Sequence, residues 1–202
     1  MRMISVTLIA LILCQPFLPA DSASAQDGAA LADAGAVAPF RKRGYLLTDP
    51  DLRLSDDNRA LYLKLVRDFP DAESCLVATD APLPLEQRLL NWKKVDRTEK
   101  LEVCVFNIAS ELGSVAGIHG WFSANGFGNE PLLHHEIQVS KLYGIEGEAI
   151  ILNSNMSRNE IPAGFGGLLR GLYLIMVYGM GVAIILSPDE KPVDVDVGLS
   201  RL

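Results

Sequence analysis

Cysteine, histidine and tryptophan are scarce in this 202-residue chain: three, three and two of each. There is no HExxH pair and no clustered Cys/His spacing, so a zinc site built on either is not expected. No CxxC redox pair is present either. Positive charge is also short, with 18 Lys and Arg against 25 Asp and Glu and a formal net charge of −7. Such a chain repels a phosphate backbone, which excludes nucleic acid as a partner. The sequence lacks a GxSxG nucleophile elbow, a GK[ST] phosphate loop, EF-hand spacing and any repeat of 20–50 residues. Neither a cofactor nor a metal is expected.

The first residues are informative. Met1-Arg2-Met3 precedes an apolar run from Ile4 to Leu13, then Pro16 and Pro19, then Ala23-Ser24-Ala25. A basic start, a short apolar core and a small-x-small site are the parts of a secretory signal peptide, with cleavage expected after Ala25. The apolar run is about ten residues, half of what a bilayer requires. Leu13 stands where a lipid-anchor signal would place a small residue before Cys14. The reading is a signal peptide over 1–25, a low-complexity disordered leader over 26–39 and a single domain over 40–202. The expected location is the bacterial periplasm or the exterior. Loss of Cys14 leaves Cys75 and Cys104, most simply a disulfide in an oxidising compartment.

Periodicity predicts an α+β fold with a mainly antiparallel sheet, packed helices and a C-terminal β-β-α-β-β unit. A helix is expected over 55–69, capped by Ser55 or Asp56 and stopped by Pro70. A short strand over 73–78 carries Cys75, a helix covers 85–95 with Leu85, Leu89 and Trp92 on one face, and a β-rich run over 101–108 carries Cys104. A third helix covers 114–125 with Gly126 at its C′ position. Strands follow over 132–140 and 148–153, then a helix from Pro162 to Tyr178, a buried strand over 182–186, a turn over 188–192 and an alternating strand over 193–199. In that last strand the valines face inward, and Asp194 and Asp196 outward. Leu168–Leu186 is apolar enough for a membrane span, but Arg170 and the Gly179-Met180-Gly181 break favour a core helix followed by a strand.

Candidate chemistry is thin. On a strand, His134 and Glu136 share a face, as a base and its orienting carboxylate or a metal pair would, while His135 faces the other way. His119, between Val115 and Phe122, could approach His135 if their elements pack. Asp189, Glu190, Asp194 and Asp196 form an acidic edge that reads as protection of an outer strand rather than a calcium site. Gly164-Phe165-Gly166-Gly167 precedes a helix but lacks the third glycine of a dinucleotide loop. Arg41-Lys42-Arg43 reads as solvated surface rather than a docking patch for anionic lipid. The sequence resembles no known family. The expected function is a non-enzymatic binding, accessory or inhibitor-like module for a protein, peptide or envelope component. The alternatives are an envelope hydrolase or metal-dependent enzyme using His134, Glu136 and His119, and a membrane-attached protein held by 168–186.

Overall fold

The computed structural model describes residues 39–128, 132–166 and 177–201, with the backbone alone given for 132–134 and 201. All of them fall within the unit 37–202. The expected signal peptide and the leader up to residue 38 lie outside the described residues, as does most of the helix expected over 162–178.

The architecture is α+β. Two short strands, β1 (Arg41–Lys42) and β2 (Tyr45–Leu46), form a hairpin. Helix α1 (Asp56–Asp68) follows, its N-terminus capped by Ser55, which accepts from the Asn58 amide. Pro70 follows the cap residue Phe69, as expected. Tyr62 and Leu65 are its buried positions.

The next forty residues depart from expectation. Cys75 closes a four-residue helix, α2 (Ala72–Cys75), and not a strand; extended structure there is limited to one bridge between Leu76 and Leu90. In place of a helix over 85–95 there is a single 3-10 turn, Leu85–Gln87. The cause is tertiary. Asn125 accepts from the Leu90 amide at 2.7 Å and donates to the Arg88 carbonyl at 3.1 Å, so these backbone groups find partners outside a helix. Leu89, expected to face inward, is exposed.

The run expected to be a strand over 101–108 is the centre of the longest helix, α3 (Thr98–Leu112), closed by Gly113 in the left-handed region. Every residue from Leu101 to Ala109 is buried. A helix covered on all sides carries no polar stripe, so its valines, Phe106 and Ile108 resemble a buried strand. Cys75 and Cys104 form a disulfide with Cα atoms 5.5 Å apart, tying α2 to α3 across 29 residues of sequence. Closing a loop of that length stabilises a fold by roughly 3–4 kcal/mol in the chain-entropy model.

Helix α4 (Val115–Ala124) begins after Ser114, which accepts from the Gly117 amide, and Gly126 adopts φ 76° just past its end, as expected. Strand β3 (Leu132–Glu136) is shorter than expected because the chain turns into helix α5 (Ile137–Tyr143). The Ser140 hydroxyl fixes this turn, donating to the Glu136 carbonyl and accepting from the Ala149 amide. Strands β4 (Ala149–Ser157), β5 (Val177–Leu186) and β6 (Pro192–Arg201) complete an antiparallel sheet in the order β3-β4-β5-β6. Because β5 begins at Val177, the segment 168–186 is not one continuous helix. Among the described residues no helix is long and apolar enough to cross a membrane.

The inner face of the sheet presents Leu152, Met156, Met180, Val182, Ile184, Val195 and Val197 to the core, where α3 packs. A second part of the core is aromatic: Trp92, Trp121, Phe122, Phe127 and Phe165 have neighbouring ring centroids 5.0–6.1 Å apart. Gly164 makes this possible, since a Cβ there would lie 2.4 Å from the Trp92 carbonyl oxygen. Gly166 donates its amide to Asp96 at φ 89°. Both glycines therefore have packing roles where the sequence raised a phosphate loop, and Gly167 lies outside the described residues.

Candidate functional site

Strand β6 is an outer strand, so its backbone groups on the side away from β5 require partners. Two charged side chains supply partners for two of them. Lys42 Nζ donates to the Val195 carbonyl at 2.8 Å, and Glu102 Oε1 accepts from the Val197 amide at 3.2 Å. Lys42 and Glu102 also pair with each other at 3.1 Å. Tyr62, from α1, donates its hydroxyl to Glu102, and its ring centroid lies 6.0 Å from Lys42 Nζ. On the outer face, Asp194 Oδ2 accepts from the Tyr143 hydroxyl at 3.1 Å. Lys42 Nζ lies 3.5 Å from Asp196 and 3.9 Å from Asp194.

Lys42, Glu102 and Asp194 are 7, 5 and 2% exposed. This corrects two expectations: Lys42 is not solvated surface, and Asp194 is not solvated on an exposed face. Alternation does place Asp194 on the outer face, but there the hairpin and Tyr143 cover it. Around one ammonium stand three carboxylates, two of them buried. Burial holds the Glu102 and Asp194 carboxyls above their ordinary range, against the opposing pull of Lys42. Burial first, and then the adjacent carboxylates, push the Tyr62 and Tyr143 phenols upward, keeping both as donors. Asp194 Oδ1 is buried with no hydrogen-bond partner among the described residues.

Two concavities flank this cluster. The first is a groove of about 360 Å³ on the outer face of the sheet. The register sets Asn153, Ala183 and Asp196 in one row and Asn155, Gly181 and Gly198 in the next. A Cβ added at Gly198 would meet nothing within 4 Å, and one at Gly181 only the Ser154 carbonyl oxygen at 4.0 Å. The floor is therefore bare backbone, framed by Asn153, Asn155, Asp196 and Ser200. The second, about 430 Å³, lies beside the β1–β2 hairpin and is lined by Arg43, Tyr45, Asp51, Leu52, Arg53, Leu142 and Tyr143.

The residues singled out from sequence lie elsewhere. His119 is exposed on α4; His135 and Glu136 are exposed at the end of β3, and the neighbouring Ile137 is 62% exposed. The side chain of His134 lies outside the described residues. No hydrogen bond or ion pair joins His119, His135 and Glu136 among the described residues, and no group of three metal-ligating side chains occurs there. The acidic edge is divided among separate tasks. Asp189 pairs with Lys191, and Glu190 reaches back to accept from the Val115 amide at the start of α4 at 2.8 Å. Asp194 and Asp196 face Lys42. Sequence reasoning missed Lys42, Glu102, Tyr62 and Tyr143. The one available signal was Glu102 itself, a lone carboxylate inside an apolar run.

No protein-family model, curated protein or solved structure matches this chain.

Proposed function

We propose that this protein is an exported, non-catalytic binding module of the bacterial periplasm or exterior, and that the outer face of its sheet receives an extended protein or peptide segment. The observation that carries the reading is the glycine floor. Gly181 and Gly198 lie side by side on neighbouring strands, and their missing side chains leave space that internal packing does not claim. Glycine inside a strand costs roughly 0.5–1 kcal/mol relative to alanine, so this openness opposes stability. A floor without side chains admits another backbone closely. Asn153, Asn155 and Ser200 provide donors and acceptors suited to peptide groups. Asp196, with its side chain 69% exposed, favours a basic residue at one end of the segment. The Cys75–Cys104 bond supports an oxidising compartment.

The test uses the full chain expressed in its own cells, with a photo-crosslinking residue at Asn155 and, as control, at exposed Leu63 on α1. The expected result is a discrete protein adduct at 155 but not at 63, abolished by Gly198→Trp in a variant of unchanged thermal midpoint. The recovered protein should begin at Gln26 by mass spectrometry. Identical adduct patterns at both positions would defeat the binding surface; retention of Met1 on the recovered protein would defeat export.

A further inference from the structure

The basic run at 41–43 divides between two environments: Lys42 enters the sheet margin, while Arg43 remains on the surface. Arg43 (φ 54°) and Gly44 (φ 80°) are the two central residues of the β1–β2 hairpin turn, between the paired Lys42 and Tyr45. Positive φ at both positions is the type I′ turn, whose first central position favours Asn, Asp or Gly. A long arginine held in the left-handed region is strained relative to those residues. The turn cannot easily relax. A Cβ at Gly44 would lie 3.0 Å from the Tyr143 carbonyl oxygen, so the turn is packed closely against the end of α5.

The strained turn places Arg43 in the lining of the 430 Å³ cavity, which Arg53 also lines. Among the described residues the only hydrogen bond from the Arg43 guanidinium runs from Nη1 to the Arg53 carbonyl at 3.4 Å. Among the described residues neither arginine forms an ion pair, whereas Lys64, Arg88, Lys100 and Lys191 each pair with a carboxylate. The cavity wall thus carries two guanidiniums against one carboxylate, Asp51, in a chain of net charge −7. The rest of the lining is apolar or aromatic: Leu52, Tyr45, Tyr143 and the 73% exposed Leu142.

We propose that this cavity binds one oxyanionic group, a phosphate or carboxylate, carried on an apolar or aromatic body. Guanidinium forks match the oxygens of such groups in pairs, and Arg43 and Arg53 retain the donors to do so. Leu52, Leu142 and the two tyrosines receive the body. The same chemistry is offered by a free small molecule and by a lipid headgroup with its chain. The site shares no residue with the glycine-floored groove, so either assignment can fail alone.

The test follows the arginine Nε–H resonances of the full mature chain during titration with phenyl phosphate, with inorganic phosphate, and with phosphatidylcholine vesicles containing or lacking phosphatidylglycerol. Phenyl phosphate is expected to shift Arg43 and Arg53 saturably and at least tenfold more tightly than inorganic phosphate. Arg53→Gln should weaken binding at least tenfold. Arg43→Asn should weaken it similarly while raising the thermal midpoint, because asparagine suits the turn. If the turn variant fails to fold, Arg53→Gln alone decides. Binding to phosphatidylglycerol vesicles with the same dependence on the arginines assigns a lipid source, and response to phenyl phosphate alone assigns a free ligand. Absence of a saturable shift with every probe, affinities unchanged by the substitutions, or equal affinity for inorganic phosphate would overturn the proposal.

Discussion

The two ends of the outer face of β6 meet opposite surroundings. Near its start, Asp194 and Asp196 face Lys42, with Tyr143 and the Arg43 turn laid over Asp194. Towards its end, Gly198 faces open space and Ser200 is exposed. The first end shows what an outer strand needs. Its backbone groups must be satisfied, and here a lysine and a glutamate do so for two of them, at the cost of burying both side chains. The second end shows what the sheet can leave undone once the first is secured. One end anchors the hairpin and α3 to the strand; the other leaves side-chain space empty.

This contrast can be tested by substitution. The largest effect is expected from Lys42→Met, which removes the cation paired with three carboxylates and leaves Glu102 and Asp194 buried without it. Denaturant unfolding should show a loss of about 3–5 kcal/mol. A loss below about 1 kcal/mol would put this pair in the class of ordinary surface ion pairs.

An intermediate effect is expected in the pH dependence. Glu102 and Asp194 titrate higher in the folded protein than in the unfolded chain, so the folded state holds more protons across that interval. Their contribution is therefore full at or below the unfolded carboxyl range and declines as pH rises through the raised folded values. Asp194→Asn should flatten this decline relative to the parent. Glu73, Glu160 and Asp189 are shifted downward and act in the opposite sense, but they are fully exposed and common to both proteins. Unfolding curves with equal pH slopes for parent and variant would remove Asp194 from the account.

The smallest effect belongs to the open end. Gly198→Ala should leave stability within about 0.5 kcal/mol or raise it by up to about 1 kcal/mol, because the new methyl meets nothing and the unfolded chain loses freedom. A loss above about 1 kcal/mol would mean that this end is packed after all.

Sequence reading succeeded where one period dominates. Helix α1 showed its stripe and both of its stops, α4 its serine cap and glycine exit, and β6 its alternating valines. It failed at α3, because burial on every side erases the stripe that marks a helix. The fifteen residues from Thr98 to Leu112, free of Gly and Pro, were the better guide, since that length exceeds a usual strand. It also failed over 85–95, where Asn125, some thirty-five residues away, decides the backbone pairing. The buried cluster was hidden for a related reason. A lysine within a basic triplet and an aspartate on an alternating strand look solvated until tertiary structure covers them. The histidines drew attention as chemistry, while the arginine in a tight turn looked only like charge.

The plugging of the β6 margin by Lys42 and Glu102 also limits how copies of this chain could join. A strand from another molecule could add along the middle of that margin only by displacing both side chains and leaving two buried charges without these partners.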